Sequence, residues 1–277
     1  MGTTQLLADG GHPEGIAAGR RDDRWWLGVV TTAIILTLFV IYSTWAAFQG
    51  NHYYAAPYLS PFYSPVLFTE TSMPGSAPLF HSAFGAWPEW WPDFLPTSPA
   101  FFILAFPGLF RFTCYYYRKA YYRSFTGSPP GCALVPAAKK MRKYHGETRL
   151  LILNNLHRYA LYGALLFLPI LWADVVASFV RNGEIGVGVG SGVLFMNATL
   201  LSGYTFGCHS FRHLIAGQKD CMSCGKQTLR FRMWKGSTWL NVFHARFAWL
   251  SLFWVAFSDI YVRLVSMGTI RDFNTWG

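Results

Sequence analysis

This sequence predicts an all-α integral membrane protein: a bundle of five transmembrane helices with a cytoplasmic N-terminus and an outer C-terminus. Three observations predict it. Apolar residues make up 52% of the 277 residues and charged residues only 13%, about half the charge of an ordinary soluble domain. Five stretches, roughly 25–48, 98–118, 150–180, 188–214 and 239–266, approach or exceed the ~20 apolar residues that one bilayer crossing takes. Lys and Arg are also one-sided. With the N-terminus inside, 20 of the 23 basic residues face inward and only Arg181, Arg263 and Arg271 lie outside, as expected when cytoplasmic loops carry the basic excess.

Residues 1–24 form a polar N-terminal tail, Gly-rich over its first 19 residues, and residues 25–277 form the anchor domain. The first span carries no charge and has Trp25, Trp26 and Trp45 near its ends, as interfacial belts do. Segment 49–98 has no basic residue and is rich in proline and aromatics, including Trp87-Pro88-Glu89-Trp90-Trp91-Pro92. It reads as a compact structural cap on the outer interface. The second span is the weakest of the five, since Pro107 and Gly108 sit inside it. Its helix is expected to continue through the tyrosine-rich run 114–123 and to stop at Gly127-Ser128-Pro129-Pro130-Gly131. A basic linker, Lys139 to Arg149, leads to the third span. The third and fifth spans open alike, with Asn154-Asn155-Leu156-His157-Arg158 and Asn241-Val242-Phe243-His244-Ala245-Arg246. Each brings a histidine and an arginine to the inner end of a helix. No internal repeat is present.

The net charge of +10 calls for no nucleic acid. It reflects topology, and beyond that a face for anionic lipid or an acidic soluble partner. All five cysteines, Cys114, Cys132, Cys208, Cys221 and Cys224, fall on the inner, reducing side, where clustered thiols are more often ligands than disulfides. Five of the eight histidines fall there too, and none lies in the outer half of a span. Stacked haems crossing the membrane need histidine pairs at two depths, so that design is excluded.

The densest chemistry is the inner loop 208–235, which opens Cys208-His209-Ser210-Phe211-Arg212-His213 and continues through Cys221-Met222-Ser223-Cys224. His209 and His213 are i,i+4 and share one helical face, and Cys221 and Cys224 form a CxxC. Two imidazoles with two thiolates suit a Rieske-type [2Fe–2S] cluster or tetrahedral zinc. Cys208 could replace either thiol, and His157 or His244 either imidazole. The histidine spacing also occurs in membrane desaturases, but their several histidine boxes are missing. Asp259 and Arg263, i,i+4 near the outer end of the fifth span, read as a structural pair. Asp174 is an intramembrane acid near the outer end of the third span and reads as a solvated helix terminus rather than a proton path.

The run 114–123, Asn155-Leu156-His157-Arg158-Tyr159, the cysteine–histidine loop, Asn241 to Arg246 and Leu264-Val265-Ser266-Met267-Gly268 together resemble the membrane-anchor subunit of an actinobacterial succinate dehydrogenase, respiratory complex II. The likeness runs from about residue 98 onward and agrees with five spans. It implies an anchor in the bacterial cytoplasmic membrane, with the flavoprotein and iron–sulfur subunits docked on its cytoplasmic face. Electrons would pass through the anchor to quinone. The missing outer histidines depart from the family's two-haem pattern, and a [2Fe–2S] cluster on His209, His213, Cys221 and Cys224 would replace it. Quinone would bind near Tyr116, His157, Arg158, His244 and Arg246, all inner-end residues for which helix-end stabilisation is the plainer role. The alternatives are a single haem b between His157 and His244, or a non-redox scaffold whose inner loop is folded by zinc.

Overall fold

The computed structural model describes residues 24–126, 150–217, 221 and 228–276; the N-terminal tail, the basic linker, Cys132 and Cys224 lie outside them. In chain order the helices are α1 (Trp25–Gln49), α2 (Ala100–Ile103), α3 (Ala105–Thr113), α4 (Tyr115–Tyr121), α5 (Leu150–Ala177), α6 (Val189–Phe206), α7 (His209–Ala216), α8 (Leu229–Val242) and α9 (His244–Ser266). Two short hairpins join them, β1 (Tyr54–Ala55) with β2 (Tyr58–Leu59) and β3 (Val180–Arg181) with β4 (Glu184–Ile185). The chain divides into two units, residues 1–38 with 115–150 and residues 39–114 with 151–277. All that follows concerns the second unit unless stated.

Three helical stretches, Trp26–Gln49, Ile152–Ala177 and His244–Ser266, are long and apolar enough to cross a membrane. At about 1.5 Å rise per residue, each covers the ~30 Å hydrocarbon layer. The expected second span is instead three short helices, bent at Leu104 and broken at Cys114. The expected fourth span ends at Phe206, so His209 and His213 stand on a separate helix, α7.

The centre of the unit is α6 packed along α9. Small residues on α6 let the two backbones approach closely, as membrane helix pairs require. A Cβ on Gly203 would stand 2.5 Å from the Phe247 ring. Leu194 and Ala198 of α6, Val262 of α9, Val175 of α5 and Tyr58 form one buried cluster.

The segment between α1 and α2 is a cap with its own core. Tyr53 and Tyr63 stack at 4.3 Å, backed by Phe62, Val66 and Ala77. Burial raises the pKa of Tyr53, Tyr58 and Tyr63 above that of an ordinary phenol, which keeps these hydroxyls protonated as donors. Three carboxylates tie the cap to the helices. Asp259 of α9, fully buried, accepts from Tyr42 at 2.5 Å and from Ser60, and pairs with Arg263 at 3.6 Å. Asp272 accepts from Tyr58 at 2.6 Å and Tyr261 at 2.5 Å. Asp174 accepts from Ser64, so it is a half-buried tether and not a solvated helix terminus. The Asp259–Arg263 pair stands as the spacing predicts.

Candidate metal centre

Three helix breaks meet at one end of this unit. Cys114 follows α3 in extended conformation (φ −62°, ψ 127°). Cys208 separates α6 from α7 in the same way (φ −66°, ψ 140°). Phe243 interrupts α8 and α9, leaving His244 as the first residue of α9. A break exposes backbone groups that lipid cannot satisfy, so the protein must. Ser237 donates to the Phe206 carbonyl at 2.6 Å and Asn241 to the Gly207 carbonyl at 2.7 Å, both from α8. Gly207 has no room for a side chain: a Cβ would lie 2.8 Å from the Gly203 carbonyl oxygen.

The breaks bring two cysteines and two histidines together. Cys208 Sγ lies 3.1 Å from His157 Nε2, and Cys114 Sγ lies 3.9 Å from His244 Nε2. Cys114, Cys208 and His157 are only 3%, 2% and 6% exposed, and both thiols are free. Thr113 orients His157. Its hydroxyl donates to the Leu109 carbonyl at 2.7 Å and lies 3.0 Å from His157 Nδ1. With its single proton already given, the hydroxyl can only accept from the ring. With Nδ1 donating to that hydroxyl, Nε2 would turn its lone pair toward the Cys208 sulfur. A partner on the far ring nitrogen orients a metal-binding imidazole in this way. His244 Nδ1 is buried with no hydrogen-bond partner among the described residues. Aromatic rings wall the group: His157 stacks on Phe110 at 4.8 Å, His244 on Tyr204 at 5.0 Å, and Phe110 meets Tyr204 edge-on.

The four donors lie as two histidine–cysteine pairs, and among the described residues no three such groups close around one point. The donor chemistry fits a soft or borderline metal all the same. Two thiols and two imidazoles, largely buried, with one imidazole oriented by Thr113, match a mixed-ligand iron–sulfur cluster or tetrahedral zinc.

The ligand set expected from sequence has a different setting. His209 and His213 share a face of α7 with their Nε2 atoms 3.1 Å apart. They line a cleft of about 240 Å³ with Arg212 and Trp234. Partial burial, with His213 and Arg212 alongside, lowers the His209 pKa below its ordinary value. Cys221 is exposed and disulfide-bonded, so it does not stand as the free thiolate that the expected ligand set requires. Of the expected quinone contacts, His157 and His244 belong to the buried group. Arg158 and Arg246 are exposed, with Arg246 over the Phe243 ring. Tyr116, in the first unit, meets Tyr117 edge-on. Sequence reasoning missed Cys114 and Thr113 as members of the group. Their signal was depth: Cys114 stands at the same end of its apolar stretch, on the side read from sequence as inner, as His157, Cys208 and His244 do.

Next to the group is an apolar cavity of about 130 Å³, lined by Phe39, Phe62, Leu104, Phe167 and Val255 among others. Arg111 is its charged wall. The guanidinium donates to Ser251 at 2.9 Å and the Ala248 carbonyl at 3.2 Å, and lies 4.9 Å over Tyr204, the ring that stacks on His244.

Apolar membrane-length helices, a capped far end and a buried cysteine–histidine group together fit an all-α membrane anchor. The chain belongs to the actinobacterial succinate dehydrogenase subunit SdhC family, which it matches over residues 27–268. It is also similar to a chain of the Mycobacterium smegmatis Sdh1 complex in the apo form. The two share 38% identity, 94% of each chain is covered, and the TM-score is 0.79. No curated protein matches the chain.

Proposed function

We propose that this membrane anchor of succinate dehydrogenase relays electrons from a docked iron–sulfur subunit to quinone, and that Cys114, His157, Cys208 and His244 hold a Rieske-type [2Fe–2S] cluster. The flavoprotein and iron–sulfur subunits would dock at the cytoplasmic face. The family and the likeness to a chain of a whole complex support that placement, as does the basic excess on the side carrying these four residues. The observation that carries the ligand set is His157 held between Thr113, 3.0 Å from Nδ1, and the Cys208 sulfur, 3.1 Å from Nε2. When bound, such a cluster supplies a one-electron couple whose imidazole ligands raise its potential above that of an all-thiolate cluster. The chain's own residues do the rest. Thr113 orients one imidazole, Phe110 and Tyr204 exclude water, and Arg111 links the centre to the apolar cavity. That cavity is the proposed seat for the quinone ring, an apolar slot with one polar group to grip a carbonyl.

The set His209, His213, Cys221 and Cys224 is a second reading, favoured by the convergence of two imidazole nitrogens within 3.1 Å; it requires reduction of the disulfide that Cys221 forms here, since only a thiolate can be a ligand. A haem b between His157 and His244 is supported less well, because each Nε2 already faces a thiol. Low-temperature EPR on the dithionite-reduced complex, with iron, zinc and sulfide analysis of this subunit separated from its partners, distinguishes these readings. A rhombic signal lost in Cys208→Ser and kept in the His209→Ala/His213→Ala variant supports the buried set. The reverse pattern supports the α7 set. Sharp reduced haem bands in the absorbance spectrum, or zinc without iron, would sink the cluster.

A further inference from the structure

Far from the cysteine–histidine group, at the other end of α9, the C-terminal segment folds back on the start of α6. Val189 N donates to the Phe273 carbonyl and Thr275 N to the Val187 carbonyl, both at 3.0 Å. With Tyr58 and the β3–β4 hairpin, this segment encloses a cleft of about 670 Å³, the size of a small-molecule site. Arg181 and Arg271 both line it, together with Val265, Ile270 and Phe273.

The arginines are informative because basic residues are scarce here. Only Arg181, Arg263 and Arg271 belong to this end of the bundle, and Arg263 is neutralised by Asp259. The other two share one cleft, and neither side chain makes a hydrogen bond or ion pair with any described residue. Two carboxylates are near. Asp272, in the cleft wall, is engaged by Tyr58, Tyr261 and the Gly190 N–H. Glu184 stands opposite Arg181 in the hairpin register but makes no ion pair with it. Arg181 lies four residues past the end of α5 and Arg271 five past the end of α9, which is headgroup depth for helices that span the bilayer. Guanidinium groups grip phosphate oxygens bidentately, and the apolar wall continues toward the membrane, with Phe273 83% exposed.

We propose that this cleft binds the phosphate of an anionic phospholipid, with Arg181 and Arg271 as its ligands and Val265, Ile270 and Phe273 beside the first carbons of an acyl chain. The site is independent of the redox reading. The test is phospholipid analysis of the whole complex, purified from its own membrane and washed with detergent. Wild type is expected to keep anionic phospholipid that an Arg181→Gln/Arg271→Gln variant loses several-fold, while Arg181→Lys/Arg271→Lys keeps most of it. Subunit stoichiometry shows that the variants still assemble. Equal retention in wild type and the glutamine variant would overturn the proposal. So would release of the lipid by millimolar inorganic phosphate, which would make this a free-anion site.

Discussion

The two ends of this unit solve opposite problems. At the cap end, polar side chains in contact complete one another: Asp259 with Tyr42, Ser60 and Arg263, Asp174 with Ser64, Asp272 with two tyrosines and a backbone N–H. At the opposite end, three helices break, two thiols stay free, and a buried imidazole nitrogen has no hydrogen-bond partner among the described residues. Buried polar groups are costly unless satisfied. The cap end is tied together by these contacts, although Trp87, Trp91 and Ser98 keep buried polar atoms with no partner among the described residues, whereas the other end gathers free thiols and imidazoles.

The comparison breaks most sharply at the cysteines. Cys114→Ser or Cys208→Ser is expected to abolish the EPR signal and quinone reduction, while oxidation of succinate by a soluble dye continues. At the cap, Asp259→Asn leaves Arg263 as an uncompensated buried charge, which costs about 3–5 kcal/mol. Thermal melting of the purified complex should fall accordingly with the EPR signal unchanged. Gly203→Ala drives a methyl into the Phe247 ring, an overpacking of about 1–3 kcal/mol. It adjoins Tyr204, so it should shift the EPR line shape as well as the melting point. Thr113→Val removes the acceptor for His157 Nδ1 and should weaken metal retention by about tenfold, read as iron per anchor after dialysis against chelator. The smallest change is at α7, where His209→Ala should leave iron content and spectrum at wild-type values.

The long apolar runs were legible because lipid imposes length and composition on a helix. α1, α5 and α9 begin and end close to the residues the sequence predicts. The breaks were not legible. Pro107, the suspect within the second stretch, sits inside α3, and the chain turns at Cys114. The break at Phe243 has no local signal, and the one at Gly207-Cys208 depends on Ser237 and Asn241, over thirty residues away. For the centre, the sequence displayed the donor types and their common depth. Which of them meet depends on contacts such as Cys114 with His244, 130 residues apart. The neighbouring pair His209–His213 was conspicuous because it is local. Asp259 and Arg263 were readable for the same reason, whereas Ser60, 199 residues from Asp259, was not.

Those separations also set an order of events during biogenesis. Cys114 leaves the ribosome 130 residues before His244, so the four donors cannot be together until the last membrane helix is made. A metal centre on this set would therefore be loaded only after α9 is made, and the cap would close at the same stage, because its ties run to Asp259 of α9 and to Asp272 beyond it.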